Sequence, residues 1–274
     1  MAANPSWGYR DMYESIEGRP AASLAGKVAF ITGSGRGMGR AHAVLMAHRG
    51  ADIVVHDINK DWAEETAELV RGTGQRALVI IEDVADVEAM AEHVKVTEAE
   101  FGHVDILVNN GGVPGEREGI ETIEPEFFDR MFNVHVRGHF FLTKAVVPGM
   151  KERNYGRIVN ISSIWAMTGS NPKYGSTYTA AKSALLGLTK SWAKEFSPHN
   201  ITVNTVAPGG VMTQMAIEKD GLEAVMARAQ TVPLGRFGDA DEYAAVVAFL
   251  CSDEAAFITG QTISPNGGWA IVGI

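Results

Sequence analysis

Short apolar runs alternate with longer amphipathic runs along most of this chain. The short runs are rich in Val and Ile, and their near-continuous apolar character is typical of strands buried on both faces. They predict strands over residues 28–32, 52–56, 77–82, 104–108, 157–161, 202–207 and 261–264. The longer runs follow a helical period and predict helices over residues 37–49, 61–71, 87–101, 127–150, 177–196 and 241–250. Asp239, with Glu242 three residues later, indicates a capping box before the last helix.

This alternation predicts an α/β fold with a doubly wound, parallel, seven-stranded sheet and helices on both faces. A chain of 274 residues allows about 1.8 domains at a usual ~150 residues per domain. No linker and no break in composition divides the chain after residue 24. We therefore predict one domain over residues 26–274, preceded by an N-terminal extension over residues 1–25.

The composition excludes several classes of protein. Hydrophobic residues make up 46% of the chain and charged residues 21%, so the chain is not disordered. The single cysteine, Cys251, excludes a disulfide framework and a cysteine-based metal centre. No apolar run is long enough to span a membrane. Residues 1–23 contain Asp11, Glu14 and Glu17 and no apolar core, so we predict no signal peptide and a cytoplasmic protein.

The distribution of charge argues against a nucleic-acid partner. The net charge is −9, from 24 basic and 33 acidic residues. No basic stripe of the kind that binds a phosphate backbone is present. We therefore expect a small-molecule partner, with neither nucleic acid nor membrane involved.

A glycine-rich turn connects the first predicted strand to the first predicted helix. Such a turn binds a pyrophosphate through backbone N–H groups and the helix N-terminus, and glycine lets the backbone approach the phosphates closely. Arg40 stands where a strict G-x-G-x-x-G would have its third glycine, and no Gly-Lys-Ser/Thr follows as in a P-loop. The residues predicted to contact the cofactor here are Gly33, Gly35, Arg36, Gly37, Met38 and Gly39.

Asp57, at the end of the second predicted strand, is the candidate for binding the adenosine ribose. A carboxylate there accepts hydrogen bonds from both ribose hydroxyls and repels a 2′-phosphate. The alternative is that Asp57 caps the next helix. Arg36 favours a 2′-phosphate instead, but Ile58 and Asn59 add no positive charge, so the sequence favours NAD over NADP. Asp83, at the end of the third strand, either caps the following helix or contacts the adenine.

Four motifs, in order, resemble those of the short-chain dehydrogenase/reductase family. Residues 32–39 match T-G-x-x-x-G-x-G, and residues 109–112 match N-N-A-G with glycine in the place of alanine. Residues 178–182 match Y-x-x-x-K, and residues 208–209 match the proline-glycine pair after strand six. The resemblance covers residues 24–268 and implies a Rossmann-type fold. It also implies an NAD(P)-dependent alcohol dehydrogenase or ketone reductase.

The resemblance assigns roles to four candidate catalytic residues. Tyr178 is the general acid/base. Lys182, four residues later on the same helix face, lowers the pKa of that tyrosine and holds the nicotinamide ribose. Ser163 binds the substrate oxygen, although it stands two residues further from Tyr178 than is usual, which we attribute to an insertion around residues 167–175. Asn133 supports a proton path to the lysine, or alternatively satisfies the backbone at a helix kink.

His135 and His139 have a spacing that could bind zinc, but no third ligand stands nearby, and we predict no metal.

The resemblance extends the cofactor site beyond the glycine turn. Asn109 is expected to line the adenosine side. The residues predicted to contact the cofactor beyond the glycine turn are Asp57, Asp83, Val84, Asn109, Gly111, Tyr178, Lys182, Pro208, Gly209, Val211 and Thr213.

Apolar side chains dominate the predicted substrate end. Trp165, Met212 and Met215 join Ser163 and Tyr178 there, and no cation lies between residues 211 and 218. We predict a neutral, rather apolar or cyclic secondary alcohol or ketone as the substrate. The alternatives are a 3-oxoacyl reductase-like enzyme that uses NADP(H) and a non-catalytic dinucleotide-binding regulator. By resemblance, the helices over residues 127–150 and 177–196 form the interface of a homotetramer.

Overall fold

Seven parallel strands form the central sheet of the molecule. The computed structural model describes residues 22–115, 119–170, 175–212, 217–218 and 221–272. The sheet order is β3-β2-β1-β4-β5-β6-β9, and every pairing in it is parallel. Its strands are β1 Val28–Thr32, β2 Asp52–Asp57, β3 Ala77–Ile81, β4 Ile106–Asn109, β5 Gly156–Ile161, β6 Ile201–Val206 and β9 Thr262–Ile263. Two further short strands, β7 Val211–Met212 and β8 Gly238–Asp239, pair with each other.

Helices connect the strands and cover both faces of the sheet, as predicted. Two of them begin at asparagine or aspartate caps: Asn59 accepts a hydrogen bond from the N–H of Trp62, and Asp86 accepts one from Ala89. The capping box predicted at Asp239 is present. The helices are α1 Gly37–His48, α2 Lys60–Arg71, α3 Val87–Phe101, α4 Pro125–Phe132, α5 His139–Arg153, α6 Trp165–Thr168, α7 Ser176–Phe196, α8 Leu222–Ala229 and α9 Ala240–Leu250.

The core consists of one apolar layer on each face of the sheet. Alternate residues of β1 point into opposite layers: Ala29 and Ile31 into one, Val28 and Phe30 into the other. The first layer packs against α1, α2 and α9 and contains the single cysteine, which is fully buried. This two-sided burial explains why the strands have no polar face in the sequence.

The helix predicted over residues 127–150 is interrupted, which corrects that prediction. A wide π turn, Asn133–Gly138, separates α4 from α5. A π turn places one additional residue per turn and is frequent at functional sites. At its end, any side chain at Gly138 would collide with the carbonyl oxygen of Val84, so the glycine lets this helix pack closely against the loop after β3.

Two residues before the predicted boundary at residue 26 pack against the described fold. Ala22 and Leu24 are buried, and the N–H of Leu24 donates to the carbonyl of Arg49 at 2.8 Å. Residues 1–21 lie outside the described part, and their assignment to an extension stays a prediction. The insertion proposed around residues 167–175 also lies partly outside it. The first residues of the proposed insertion belong to the short helix α6.

Candidate active site

A cavity of about 600 Å³ opens at the carboxyl ends of the central strands. The chain moves from β1 outward to β3 on one side and resumes with β4 on the other side of β1. Ligands bind at such a point because the loops of the neighbouring strands diverge there. The cavity therefore lies where the fold leaves room for an elongated ligand.

The glycine-rich turn forms one wall of this cavity. Gly33, Arg36, Gly37, Met38 and Gly39 line it. The N-terminus of α1 has no side-chain cap, so its first N–H groups are available to an anion. Gly33 has a φ of +61°, and a Cβ on it would lie 2.7 Å from the Cα of Gly111. The turn and the loop after β4 therefore pack backbone against backbone.

Asp57 lies at the cavity wall with its carboxylate fixed by two backbone N–H groups. Oδ2 accepts from Gly35 at 2.9 Å, and Oδ1 accepts from Asn59 at 3.0 Å. The helix after β2 is capped by Asn59, not Asp57, so the capping alternative for Asp57 is wrong. Gly35 itself does not line the cavity, and its part is to hold Asp57.

Arg36 also lines the cavity, but its guanidinium already has two partners. It lies 3.9 Å from the centre of the Trp62 ring, and Nη1 is 3.3 Å from Oε2 of Glu218. Glu218 follows β7 and reaches the glycine turn from the other side of the cleft. The positive charge of Arg36 is thus balanced within the protein.

Asp83 and Val84 line the cavity at the end of β3. Asp83 forms an ion pair with Arg130 at 2.6 Å and accepts the N–H of Ala85 at 2.9 Å. The helix that follows is capped by Asp86, so the capping role considered for Asp83 is also wrong. Asp83 is a wall residue of the cavity, and its contact with the adenine stays a prediction.

The structure places Asn110, rather than Asn109, at the cavity wall. The Asn109 side chain is fully buried and donates to Thr143 and Asn160, away from the cleft. Asn110 donates to the carbonyls of Thr32 and Gly33 at 2.9 and 3.0 Å, which ties its loop to the glycine turn. The predicted contact of Asn109 with the cofactor is therefore not supported by its position.

The chain after β6 contributes Gly209 and Val211 to the wall, whereas Pro208 lies behind it. The carbonyl of Pro208 accepts the N–H of Ile164 at 3.0 Å and so joins this segment to the loop after β5. Thr213 lies outside the described residues. Asn266, where the family commonly has Asp, uses its amide within its own loop, with Ala270 and Gly268 as partners.

Ser163, Tyr178 and Lys182 come together at the inner end of the cavity. The hydroxyl of Ser163 is hydrogen-bonded to Tyr178 despite their longer separation in sequence. Lys182 Nζ donates to the carbonyl of Ile161 at 2.7 Å and lies 5.8 Å from the centre of the Tyr178 ring. The Ser162 hydroxyl donates to the Lys182 carbonyl at 2.8 Å, which fixes α7 against the end of β5.

Burial controls the ionisation of these groups. It raises the pKa of Tyr178 above 10, with a smaller opposing effect of the Ser163 hydrogen bond, and it lowers the pKa of Lys182 to about 7. Burial is thus the largest influence on the Tyr178 pKa when no cofactor charge lies beside the phenol.

Val134 and His135, rather than Asn133, are the residues of the π turn that line the cavity. Asn133 begins the turn and is absent from the wall. The ring of His135 is buried and meets the Tyr178 ring edge-on, with 5.6 Å between centroids. His139 is fully buried one turn later. Within the described ranges, no three metal-ligating side chains come together.

Aromatic side chains cluster at the end of the cavity that was predicted to bind the substrate. Trp165 lines the cavity and packs edge-on against Trp269, which in turn contacts Phe237; both pairs have centroids 5.6 Å apart. Met212 does not line this cavity and packs against the small cluster around Val225, so its contact with the substrate stays a prediction. Met215 lies outside the described residues.

Comparison with known proteins decides the family. A family model described as enoyl-(acyl carrier protein) reductase matches residues 33–270. The chain is 39% identical to the 3-oxoacyl-(acyl-carrier-protein) reductase FabG of Thermotoga maritima over 251 residues, which cover 90% of this chain and 99% of the relative. The chain belongs to the short-chain dehydrogenase/reductase family.

Solved structures of family members share the whole fold. A putative short-chain alcohol dehydrogenase from Sinorhizobium meliloti superimposes with a TM-score of 0.85 at 36% identity, covering 91% of this chain and 98% of that one. A carveol dehydrogenase from Mycobacterium avium in complex with NAD superimposes with a TM-score of 0.86 at 32% identity, covering 90% and 98%. This short-chain dehydrogenase/reductase is therefore an oxidoreductase that acts on alcohols or ketones with a nicotinamide dinucleotide.

The site fits that cofactor. The free N-terminus of α1 suits the pyrophosphate, and the Asp57 carboxylate lies at the strand end where the ribose of such cofactors binds. Sequence reasoning missed Trp62, Glu218 and the place of His135 at the cavity wall. Only His135 had a signal, because it lies two residues after the predicted site residue Asn133. In the described part of the chain, no helix is both long and apolar enough to cross a bilayer.

Proposed function

We propose that this enzyme prefers NAD(H) and interconverts a neutral, rather apolar secondary alcohol and its ketone. The observation that carries the cofactor preference is the Asp57 carboxylate at the cavity wall. It is held by two N–H groups, and the Arg36 charge beside it is engaged by Glu218. A 2′-phosphate, with about 1.5 to 2 negative charges, would meet this carboxylate directly. The NAD in the carveol dehydrogenase structure is consistent with the preference.

The proposed chemistry uses Tyr178 to transfer the proton. When bound, the nicotinamide supplies or accepts the hydride. The Ser163 hydroxyl, already bonded to Tyr178, is placed to donate to a carbonyl oxygen and to stabilise negative charge that develops on it. Lys182 is held by Ile161 on the same helix face as Tyr178 and provides a basic group beside the phenol.

The pKa directions predict how each reaction depends on pH. Ketone reduction needs the phenol form of Tyr178, which is the stable form at neutral pH because burial raises its pKa. Alcohol oxidation needs the phenolate, which becomes populated only as the pH rises. We therefore expect reduction to be favoured near neutral pH and oxidation to increase toward alkaline pH.

The charges of the cavity support a neutral substrate. Among its described wall residues, each cation already has a partner: Arg36 has Glu218, Arg130 has Asp83, and Lys182 has the carbonyl of Ile161. Neither arginine is therefore left without a carboxylate partner, and Lys182 is expected to hold the cofactor ribose. The wall near the chemistry also contains Trp165, Val113 and Pro114, which suit an apolar ligand.

A second candidate is the reduction of a 3-oxoacyl thioester with NADP(H). The 39% identity to a 3-oxoacyl-(acyl-carrier-protein) reductase favours it. The two candidates differ in cofactor and in substrate, so one experiment separates them.

The test is an absorbance assay of NAD(H) and NADP(H) turnover over a panel of cyclic and acyclic alcohols, ketones and 3-oxoacyl thioesters. We expect kcat/KM to be higher with NAD(H) and with neutral ketones. A preference for NADPH with thioesters would establish the second candidate instead. Tyr178→Phe serves as the inactive control.

We also propose a cytoplasmic homotetramer. Phe128 on α4 and Phe140 on α5 are partly exposed aromatic residues, and Ile271 near the C-terminus is 89% exposed. A partner subunit would bury such apolar surface. Light scattering is expected to give four times the chain mass, and a monomer at working concentration would contradict this proposal.

A further inference from the structure

His135 occupies a position next to the reacting groups that no motif assigns to it. It lies in the π turn between α4 and α5, is 1% exposed, and lines the cavity. Its ring stands perpendicular to the ring of Tyr178, at 90° and 5.6 Å between centroids. Perpendicular aromatic pairs at this separation are attractive and directional.

The opposite side of the imidazole is attached to the loop after β4. Nε2 lies 2.9 Å from the carbonyl oxygen of Val113 and 3.2 Å from its N–H. One backbone residue thus offers this nitrogen both an acceptor and a donor, so either neutral tautomer keeps one hydrogen bond. A Cβ on Gly112 would lie 2.5 Å from Cε1 of His135. A glycine at position 112 is therefore needed for the His135 ring to pack against this loop.

The surroundings keep the imidazole uncharged. Burial lowers the pKa of His135 well below its usual value, and the nearby Lys182 adds to this effect, as do His139 and Arg130. A neutral ring beside Tyr178 adds no charge that would compete with Lys182. The contact with Tyr178 is thus the same throughout the pH range in which the phenol ionises.

We propose that His135 is a positioning residue for Tyr178, connecting the loop after β4 to the catalytic face of α7 and fixing the orientation of the phenol ring. Ser163 holds the hydroxyl end of Tyr178, and His135 holds the ring itself. Without the second contact, the ring could swing while its hydroxyl stayed bonded. The inference rests on the proposed role of Tyr178 as general acid/base.

Two substitutions separate the two contacts of His135. His135→Phe keeps an aromatic ring against Tyr178 but removes the hydrogen bond to Val113. His135→Gln keeps an amide that can bond to Val113 but removes the ring. Because a misplaced catalytic group costs up to about 100-fold in rate, we expect kcat to fall at least about 10-fold in both variants. The KM for NAD is expected to change less than about two-fold, since the described contacts of His135 do not include the glycine turn or Asp57.

Direct titration of the Tyr178 phenol tests positioning without turnover. Ultraviolet difference spectra of tyrosinate are recorded in cofactor-free protein, with Tyr178→Phe subtracted to isolate this phenol. Relative to wild type, its pKa should rise in His135→Phe, because an apolar ring replaces a polar one. It should fall toward the value of free tyrosine in His135→Gln, because water gains access.

His139→Gln is the matched control. His139 is equally buried one turn later, but among the described ring contacts it makes none with Tyr178. Its substitution should lower the thermal midpoint without moving the phenol titration. If both His135 variants leave the Tyr178 titration and kcat unchanged while they remain folded by circular dichroism, His135 only packs the helix and the proposal is wrong. Absence of turnover in the wild type would instead contradict the proposed function and leave the titration result readable.

Discussion

At the end of the cleft that we propose for the cofactor, wall residues are held by contacts to backbone atoms, whereas at the end proposed for the substrate they are held by other side chains. Asp57 is held by two backbone N–H groups, and Gly33 packs against the backbone of Gly111. In contrast, Trp165 is positioned by Trp269, which is positioned by Phe237. A side-chain substitution can reshape the second end without disturbing the first. This difference lets one scaffold keep its cofactor while its substrate changes.

The largest expected effect lies where the two ends meet, at Tyr178. Tyr178→Phe removes the proton donor but keeps the ring, so kcat should fall by about 10² to 10⁴-fold. Binding of NADH, followed by fluorescence, should be retained because the glycine turn and Asp57 are unchanged. Tyr174→Phe is the control, since no lysine stands four residues after it. Full activity of Tyr178→Phe would remove the basis of the proposed mechanism.

Acid should destabilise the folded protein through three buried histidines. Burial lowers the pKa of His42 to about 3, of His56 to about 4 and of His139 to about 3. Below pH 6.5 the unfolded chain binds protons at these residues but the folded chain does not, so the stability present above pH 6.5 is lost as the pH falls toward 4. Well below pH 6.5, each histidine lowers the free energy of unfolding by about 1.4 kcal/mol per pH unit. Between pH 7.5 and 5.5 this slope is only partly developed, and the three histidines together lower the free energy of unfolding by about 4 kcal/mol.

Urea unfolding at several pH values measures this loss. In His42→Gln the slope of the free energy of unfolding against pH should decrease by about 1.4 kcal/mol per unit. The same substitution at the exposed His48, on the same helix, is the matched control. An equal slope in all three proteins would show that His42 takes up its proton in the folded state.

Asp57→Asn tests the backbone-built end directly. The amide keeps one acceptor but loses the charge, and hydrogen bonds to a charged group contribute about 1.5 to 3 kcal/mol. We expect kcat/KM for NAD to fall by about 10 to 100-fold, mostly through KM, and the discrimination against NADP to weaken. Asp61→Asn, on the exposed surface of α2, is the matched control. An unchanged cofactor preference would place the ribose elsewhere.

The smallest expected effect concerns Glu218, which joins the two ends. Glu218→Gln should free Arg36 to attract a 2′-phosphate and raise the NADP-to-NAD ratio of kcat/KM by a few-fold, since exposed ion pairs contribute at most about 1 kcal/mol. Adding Arg36→Gln should cancel the gain. Glu223→Gln, an exposed glutamate on α8, should have no effect. If the NADP-to-NAD ratio of kcat/KM still rises in the double variant, Arg36 is not responsible for the rise, and the discrimination depends on Asp57 alone.

The sequence predicted the sheet and the glycine turn well because both depend on short-range patterns. Strands buried on both faces appear as apolar runs, and β1 begins and ends where it was expected. A helix kink at Asn133 was one of two interpretations of that residue, but the π turn itself could not be foreseen, because α and π turns share the same apolar spacing over so few residues. The close approach of Gly138 to Val84, distant in the chain, accompanies the change.

The errors at the site have equally local causes. β4 ends at Asn109, one residue later than predicted, and successive strand residues point to opposite faces. That alternation places Asn109 in the core and leaves Asn110 to the cleft. The partner of Arg36 was beyond sequence reasoning, because Glu218 lies 182 residues away. Contacts of this kind depend on how the loops fold over the sheet.

Cys251 gives the molecule a practical property. It is completely buried, and burial raises the pKa of its thiol to about 12, so it will not form the thiolate that reacts with alkylating probes. A single cysteine introduced at an exposed position, such as Glu218→Cys, would therefore be the reactive thiol of the folded chain. A fluorophore attached there could report ligand arrival at the cleft without removal of the native cysteine.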